Sequence, residues 1–253
     1  MCCVSCIGGA LCRYFCQVDS KGYVITNKSS AFKVNYTRKL QHFAAYLVPL
    51  LLHTGAVKNV PSPLALAWGN WFTMLSFLIL IKPLRERFSI IMLQFNSLDR
   101  PEDRPNTLNW IIGGNILPGA LMVMFFRWLY SYSGQQDLTY IFVFITGVGD
   151  GLAEPIGIYF GKHKYWTKGL GSSRRYQRSW EGSACVFLSS IIFTSMLWYT
   201  FASAAQFWCA IILLPGLMAY AEATSPHTID TPFLMGIGGI VLWLISHIEV
   251  LWI

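Results

Sequence analysis

Residues 149–184 read GDGLAEPIGIYFGKHKYWTKGLGSSRRYQRSWEGSA, and this stretch is the most informative part of the chain. It opens with two carboxylates, Asp150 and Glu154, inside an apolar run. A carboxylate at membrane depth is energetically costly and indicates a functional site, and four-residue spacing puts both on one face of a helix. Pro155 predicts that this helix breaks beside Glu154. Six bases follow before the next acid, Glu181, and they are Lys162, Lys164, Lys168, Arg174, Arg175 and Arg178. A loop of bases beside carboxylates is suited to binding a polyphosphate and its metal ion.

The composition indicates an integral membrane protein. Of the 253 residues, 54% are hydrophobic and only 12% are charged, and the mean hydropathy is +0.46, which is too apolar for a soluble domain of this length. A formal net charge of +7 is also compatible with nucleic acid binding, but the bases lie in short loops between apolar runs and not on one soluble face. We therefore expect anionic lipid headgroups or a phosphorylated substrate as partners, and no nucleic acid.

Runs of about 17 to 25 apolar residues predict seven membrane spans and an all-α, multi-pass transmembrane helical bundle. The spans lie near 42–57, 64–81, 109–130, 138–160, 181–201, 204–223 and 233–252. The first span is short, so six is the alternative count. Residues 1–41 form a basic, cysteine-rich segment ahead of a polytopic membrane domain at 42–253. The polar segment 82–106 surrounds an apolar patch, which predicts a short amphipathic helix at the membrane interface.

The distribution of bases predicts the orientation of the bundle. Six Lys and Arg residues lie in 1–41, five in 82–108 and six in 161–180, so these three segments hold 17 of the 19. With seven spans all three fall on one face, which the positive-inside rule assigns to the cytoplasm or, in a plastid, to the stroma. We expect the membrane to be that of the endoplasmic reticulum or a plastid. The candidate reactive residues lie at or near the same face.

Five of the seven cysteines fall within the first 16 residues. The spacing of Cys3 and Cys6 can bind zinc, but no second pair of ligands follows it. Reversible palmitoylation on the basic face is the favoured interpretation. The apolar core of this segment is weak and interrupted, which is not typical of a secretory signal peptide. A plastid transit segment fits its basic composition, in which Asp19 is the single acid.

Four patches of the sequence resemble the CTP-dependent polyprenol kinase family, which includes dolichol kinase and the phytol and farnesol kinases. In order they are Arg38-Lys39-Leu40-Gln41-His42, Gly149-Asp150-Gly151, Gly161-Lys162 with Arg178-Ser179-Trp180-Glu181-Gly182-Ser183, and Glu222-Ala223 with Ile229-Asp230. The second and third patches are the specific ones. The RSWEGSA motif at residues 178–184 is similar to the phytol kinase branch of the family. One departure is that the family commonly has Asp-Asn in the last patch, whereas Asp230 is followed by Thr231.

The resemblance implies an enzyme, a phosphotransferase with an alcohol acceptor. It would transfer the γ-phosphate of CTP to a membrane isoprenoid alcohol, giving a prenyl phosphate and CDP. Phytol or a similar prenol is favoured over dolichol. Such a transfer needs cations on the phosphates and a magnesium ion held by carboxylates, with little covalent help from the protein. Mg²⁺ is therefore the expected cofactor, and CTP, the alcohol and the bilayer are the expected partners.

The resemblance and the charge pattern together assign roles to individual residues. We expect catalytic roles for Asp150, Glu181 and Asp230, with Asp150 and Glu181 as the magnesium ligands. The expected nucleotide- and phosphate-binding residues are Lys162, Lys164, Arg175, Arg178, Gly149, Gly151 and Ser183. The expected supporting residues are Arg38, Lys39, His42, Glu154 and Glu222.

Each role has a simpler alternative. The positive-inside rule alone explains about half of the loop bases. An acid at a helix N-terminus, such as Glu181, is favoured by the helix macrodipole. His42 is also typical of an interfacial histidine. Glu222 and Asp230 bracket a short stretch, for which a solvated loop is the less favoured alternative.

Two other functions compete with the kinase interpretation. A phosphatidate cytidylyltransferase is the nearest, because the GKHK run and the SWEG element are similar to that family as well, and both enzymes use CTP. The two differ in their products, since a cytidylyltransferase releases pyrophosphate and forms a CDP-lipid. A non-enzymatic anion transporter would need ionisable residues along a pathway through the bilayer. Here those residues cluster towards one end.

Overall fold

The computed structural model describes residues 2–25, 31–53, 71, 75–170, 175–226 and 229–248. The chain divides into two compact units, Met1–Gly113 and Gly114–Ile253. The predicted boundary at residue 41 separates a basic, cysteine-rich segment from the membrane domain by composition and role, and it stays a prediction.

The first unit is built from short helices and one small hairpin. Its helices are α1 (Cys2–Phe15), α2 (Val34–His53), α3 (Lys82–Arg87) and α4 (Ser89–Asn96), and its strands are β1 (Gln17–Val18) and β2 (Val24–Ile25), which pair antiparallel. Helix α1 packs against α2 and α4. The approach to α4 is close, because a Cβ on Gly9 would lie 1.8 Å from the carbonyl oxygen of Leu93. Glycine is therefore required there by space.

Buried ion pairs stabilise this first unit. The carboxylate of Asp103 is 2% exposed, and its Oδ2 lies 3.0 Å from Arg38 Nη1 and 2.7 Å from Arg100 Nε. Arg104 Nε donates a hydrogen bond of 2.6 Å to Asp99 Oδ2, and Thr107 Oγ1 donates one of 2.9 Å to Asp99 Oδ1. Burial raises the pKa of Asp99, while the Arg104 guanidinium opposes that rise. The bases of this unit thus neutralise buried acids.

The predicted amphipathic helix over 82–106 is two helices. Phe88 separates α3 from α4 with an extended backbone, φ −117° and ψ 116°. Its position at the membrane interface stays a prediction. The predicted span near 64–81 falls mostly outside the described residues.

The second unit contains the longest apolar helices. They are α5 (Thr107–Ser131, whose first residues belong to the first unit), α6 (Gln136–Tyr159), α7 (Trp180–Met196), α8 (Ala204–Thr224) and α9 (Asp230–Ser246). Strands β3 (Lys164–Lys168) and β4 (Arg175–Ser179) form an antiparallel hairpin between α6 and α7. Among these helices, α7 packs against α6 and α8, and α9 packs against α8 and α5.

The core of the second unit is apolar, and so is much of its surface. Tyr130, Phe142, Leu214 and Leu242 are fully buried. Large apolar side chains are exposed on the outer faces of the same helices: Leu121, Met124, Phe125, Trp128, Leu188, Ile192, Trp208, Ile212, Ile240 and Leu244. Apolar side chains on both faces of a helix are typical of a helix that contacts lipid. The surface composition thus agrees with a membrane environment.

Three helices in the described part of the chain, α5, α6 and α8, are long and apolar enough to cross a bilayer. Their bounds lie within two residues of the predicted spans 109–130, 138–160 and 204–223. Helices α7 and α9 overlap the predicted spans 181–201 and 233–252, beginning one and three residues before them, and have 17 residues each. The chain is mostly helical and membrane-like, as predicted, while the count of seven spans stays a prediction.

Two local predictions for the segment 149–180 are wrong. Helix α6 does not break at Pro155 but continues to Tyr159. Prolines are tolerated inside membrane helices because neighbouring groups satisfy the freed carbonyl. The basic loop is partly a β-hairpin, since strands Lys164–Lys168 and Arg175–Ser179 flank its centre.

Candidate functional site

The candidate site lies at the hairpin end of the second unit. Contacts between the neighbouring helices show that successive helices from α6 to α9 run antiparallel. Helices α6 and α8 therefore finish at this end, and α7 and α9 begin there. The predicted acids of these helices are Asp150, Glu154, Glu181, Glu222 and Asp230. All five lie in the halves of these helices nearer the hairpin, and their joint role in one site stays a prediction.

Asp150 lies in an irregular part of helix α6. Residues Ile145–Asp150 form a π-helical turn, and Asp150 is 5% exposed. Such wide turns are frequent at functional sites because they redirect side chains within a helix. The adjacent Gly149 packs against α7, where an added Cβ would lie 3.1 Å from the Cα of Val186. The glycine therefore lets α6 approach α7 directly beside Asp150.

Glu181 stabilises the turn between α6 and the hairpin through hydrogen bonds. Its Oε1 accepts hydrogen bonds of 3.1 Å from the backbone N–H groups of Lys162 and His163, and lies 2.9 Å from His163 Nδ1. Ser179 caps the N-terminus of α7, the helix that contains Glu181, because its Oγ accepts a hydrogen bond of 3.1 Å from Gly182 N. Glu181 Oε2 is buried and has no hydrogen-bond partner among the described residues.

Arg178 and Glu222 form an ion pair beneath the hairpin. Arg178 Nη1 lies 3.2 Å from Glu222 Oε1, and Glu222 is 5% exposed. Ser183 Oγ donates a hydrogen bond of 3.3 Å to Glu222 Oε2, and the hydroxyls of Tyr165 and Ser183 are 2.5 Å apart. Burial raises the pKa of Tyr165, although its hydrogen bond to Ser183 opposes the rise. The phenol is therefore neutral near pH 7.

The inward face of the hairpin is attached to the last turn of α8. Thr167 Oγ1 donates a hydrogen bond of 2.6 Å to the carbonyl oxygen of Ala223, and Leu170 N donates one of 2.9 Å to that of Thr224. Arg178 Nη2 reaches Ser225 Oγ at 3.4 Å. The last carbonyls of a helix have no partner within it. The hairpin supplies partners for two of them through Thr167 and Leu170, and Arg178 makes its own separate contacts to Glu222 and Ser225.

The outward face of the hairpin carries the other bases. Strand register pairs Tyr165 with Arg178 on one face, and Lys168 with Arg175 on the other. Lys164, Lys168 and Arg175 are exposed, and so is Lys162 in the preceding turn. The structure therefore separates Arg178 from the exposed Lys164 and Arg175. Arg174 lies outside the described residues.

Asp230 begins helix α9 and is half-buried. The backbone N–H of the next residue, Thr231, donates hydrogen bonds of 3.0 Å to Asp230 Oδ1 and 3.4 Å to Asn115 Oδ1. Asn115 belongs to the π-helical turn Trp110–Ile116 of α5. The side-chain amide of Asn115 on α5 thus lies beside Thr231 at the start of α9. In the polyprenol kinase family that the sequence resembles, the position of Thr231 is commonly asparagine.

The predicted supporting residues of α2 belong to the first unit. Arg38 pairs with Asp103 at 3.0 Å, Lys39 is 7% exposed, and the His42 ring lies 4.6 Å from that of Tyr46. The Arg38–Asp103 ion pair joins α2 to another part of its own unit, whereas the His42–Tyr46 contact lies within α2. Their contribution to the site stays a prediction.

Several residues of the site were missed in the sequence, above all Tyr165, His163 and Ser225. A signal for the hairpin that holds Tyr165 was present, because the segments KYWTK and RYQRS contain the strand-favouring residues Tyr, Trp and Thr and lie on either side of a Gly- and Ser-rich centre. The contacts of His163 and Ser225 had no such signal, because they join positions 18 and 47 residues apart in the sequence.

These features define a helical membrane protein with a basic hairpin over a set of buried or half-buried acids. The chain is similar to the phytol kinase of Synechocystis sp., with 24% identity over 200 residues that cover 79% of this chain and 72% of that protein. This similarity confirms, as a distant relationship, the resemblance to the phytol and polyprenol kinases. No family model matches the chain. No solved structure matches it either.

Proposed function

We propose that this chain is a lipid kinase that transfers the γ-phosphate of CTP to the hydroxyl of a membrane isoprenoid alcohol, giving a prenyl phosphate and CDP. One observation carries the proposal: Arg178 on the hairpin meets buried Glu222 at the end of the bundle where α6 carries Asp150. The distant similarity to a phytol kinase supports the reaction class. Phytol or a similar prenol is the favoured acceptor, and dolichol is the longer alternative.

The bases would bind the nucleotide in two ways, some by direct contact and others by long-range attraction. Arg178 faces the bundle and Lys162 follows directly after α6, so both would contact the β- and γ-phosphates. Lys164 and Arg175 on the outward face would act at longer range, by attracting the anionic nucleotide to the hairpin. Gly149 and Gly151 would let the backbone approach the ligand beside Asp150.

We propose Asp150 and Glu181 as the magnesium ligands. The described residues contain no group of three or more His, Cys, Asp or Glu side chains that would hold a metal ion. Proteins often bind Mg²⁺ through one or two carboxylates plus phosphate oxygens and water, so two carboxylates are enough for the proposed site. The buried, unpartnered Oε2 of Glu181 fits such a ligand. Bound there, the ion would neutralise charge on the transferring phosphoryl group.

The acceptor alcohol would reach the site from within the bilayer. Exposed apolar side chains on the outer faces of the helices offer its tail a lipid-like path, while its hydroxyl would meet the phosphate near Asp150. Asp150 either orients that hydroxyl or holds the metal ion, and Asp230 would assist from the start of α9. The nucleotide would arrive from water at the basic hairpin.

The basic face is proposed to be cytoplasmic or stromal. Epitope tags placed after Lys21 and within 169–173 should both be accessible from that side in sealed vesicles, and a tag after Ile253 should be protected. If the C-terminal tag is accessible from the basic side, the number of spans is even and the proposed orientation is wrong.

The reaction itself is tested with labelled nucleotides. Purified protein in detergent is incubated with CTP labelled at either the α- or the γ-phosphate and with phytol, farnesol, dolichol, diacylglycerol or phosphatidate. The kinase proposal predicts γ-label in the lipid product and α-label in CDP. Transfer of α-label to lipid, with γ-label in pyrophosphate, would identify a cytidylyltransferase instead. A parallel series with ATP tests the preference for CTP.

A further inference from the structure

A chain of hydrogen bonds connects Tyr165 to Arg178 through two residues of different helices. Tyr165 and Ser183 join hydroxyl to hydroxyl, Ser183 Oγ bonds Glu222 Oε2, and Glu222 Oε1 bonds Arg178 Nη1. A carboxylate paired with a guanidinium can only accept hydrogen bonds. Ser183 must therefore give its proton to Glu222. Tyr165 must then be the donor to Ser183, so the direction of the whole chain is determined.

The two ends of this chain are opposite each other in the hairpin. Tyr165 on β3 and Arg178 on β4 are direct partners in the strand register. Both are only partly exposed and face the bundle, whereas their neighbours Lys164, Trp166 and Gln177 are exposed. A closed loop of contacts thus runs from β3 to α7, on to α8, and back to β4. Such a loop restricts the rotamers of the long Arg178 side chain.

Arg178 retains binding capacity within this arrangement. Its Nη1 lies on Glu222 and its Nη2 reaches Ser225, but its Nε is buried without a hydrogen-bond partner among the described residues. A guanidinium has five N–H donors in a rigid fork, so two protein contacts leave donors for a phosphate. Fixing the fork before the ligand arrives lowers the entropy cost of binding.

We propose that Tyr165 is a positioning residue that acts through Ser183 and Glu222 to orient Arg178 for the phosphates of a nucleoside triphosphate. The inference rests on the proposed phosphate-binding role of Arg178 and gives Ser183 and Glu222 a defined part in it. Neither Tyr165 nor Glu222 need touch the ligand. Tyr165 is neutral, so it donates the first hydrogen bond without adding charge.

The test is equilibrium binding, which does not require turnover. CTP and ATP with Mg²⁺ are titrated separately by calorimetry into detergent-purified wild type, Tyr165→Phe, Arg178→Gln and the double variant. We expect Tyr165→Phe to raise the Kd about 3- to 10-fold, the size expected for one hydrogen bond. In the Arg178→Gln background the same change should have no further effect, because residues acting as a unit are not additive.

Thr167→Val is the matched control. Thr167 lies on the same strand and the same face as Tyr165, and its hydroxyl bonds the carbonyl oxygen of Ala223. A general loosening of the hairpin would make Thr167→Val and Tyr165→Phe equally harmful to binding, whereas the proposed chain requires Tyr165→Phe alone to raise the Kd. Ser183→Ala should reproduce the Tyr165→Phe effect, and a thermal melt checks that each variant is folded.

Additive effects of Tyr165→Phe and Arg178→Gln would overturn the inference, as would equal effects of Tyr165→Phe and Thr167→Val. Absence of triphosphate binding by the wild type would also overturn it. A wild type that binds triphosphate and shows the predicted coupling but transfers no phosphate to any alcohol would leave the inference standing and refute the proposed kinase reaction. The two failures are therefore distinguishable.

Discussion

The arginines of the first unit and the bases around the hairpin look alike in the sequence but differ in the structure. Arg38 and Arg100 converge on buried Asp103, and Arg104 bonds buried Asp99. Around the hairpin, Lys162, Lys164, Lys168 and Arg175 are exposed, and Arg178 meets an acid contributed by another helix. The first set is used to hold a fold together, and the second set remains available to a ligand.

The difference limits what a count of bases can reveal. The positive-inside rule treats all three basic segments alike, because it depends only on the number of Lys and Arg residues near the membrane. Whether a base also binds a ligand depends on the acids that reach it after folding. The first-unit arginines that pair with buried acids should affect stability when changed, and the exposed bases around the hairpin should affect binding. Arg178 pairs with buried Glu222 and should affect both.

The largest effect is expected at Asp150. Asp150→Asn removes one charge at nearly constant volume and should lower kcat by about 100-fold or more, as for the loss of an essential electrostatic group. Steady-state kinetics measures the effect, and size-exclusion chromatography in detergent checks folding. A variant that retains most of its activity would show that the proposed central residue is not needed.

The next effect concerns stability in the first unit. Asp103→Asn leaves the guanidinium groups of Arg38 and Arg100 without their carboxylate, and should reduce the free energy of unfolding by about 2 kcal/mol. A thermal melt measures the change. The KM for the nucleotide should be unaffected at temperatures where the variant is folded. A raised KM with an unchanged melting temperature would mean that these arginines serve the ligand, contrary to the comparison.

A smaller effect is expected when Arg178 is compared with Arg87. Arg178→Gln should raise the KM for the nucleotide about 10-fold, the size of one charged hydrogen bond, and leave the KM for the alcohol nearly unchanged. Arg87 is an exposed arginine of α3 outside the proposed site. Arg87→Gln should change neither constant. If both substitutions raise the KM for the nucleotide equally, Arg178 contributes only to the general positive potential of the surface and not to a specific phosphate contact.

The smallest effect is expected on the outward face of the hairpin. Lys164→Gln and Arg175→Gln should each raise the KM for the nucleotide by less than about 3-fold at low salt, because long-range attraction is spread over several bases. The increase should disappear at about 0.5 M salt, where charges beyond a few ångströms are screened. An effect that persists at high salt would indicate direct phosphate contact by these two residues.

The long apolar helices were predictable from the sequence because hydropathy is a local property. The spans predicted at 138–160 and 204–223 correspond to helices Gln136–Tyr159 and Ala204–Thr224. The clustering of the acids towards one end also followed from local information, since it requires only the positions of the acids and the up-and-down order of the spans. Asp150 and Glu222 were candidates for these reasons.

The hairpin and its contacts were not predicted. Its strands are five residues each and were hidden in a segment interpreted as a basic loop. Pro155 predicted a helix break that the packed bundle does not contain. The hairpin is held by hydrogen bonds between its own strands and to the end of α8, and these partners lie outside any short window of sequence.

The sequence by itself determined that this is a membrane-like helical protein, where its main helices lie, and which acids and bases are unusual enough to be candidates. The tertiary structure was needed to show which of them are in contact. Ser183 and Glu222 are 39 residues apart and Arg38 and Asp103 are 65 apart, yet each pair is in contact. Hydropathy and helix propensity are properties of neighbouring residues, whereas the pairing of a buried charge depends on which distant segment the fold brings to it.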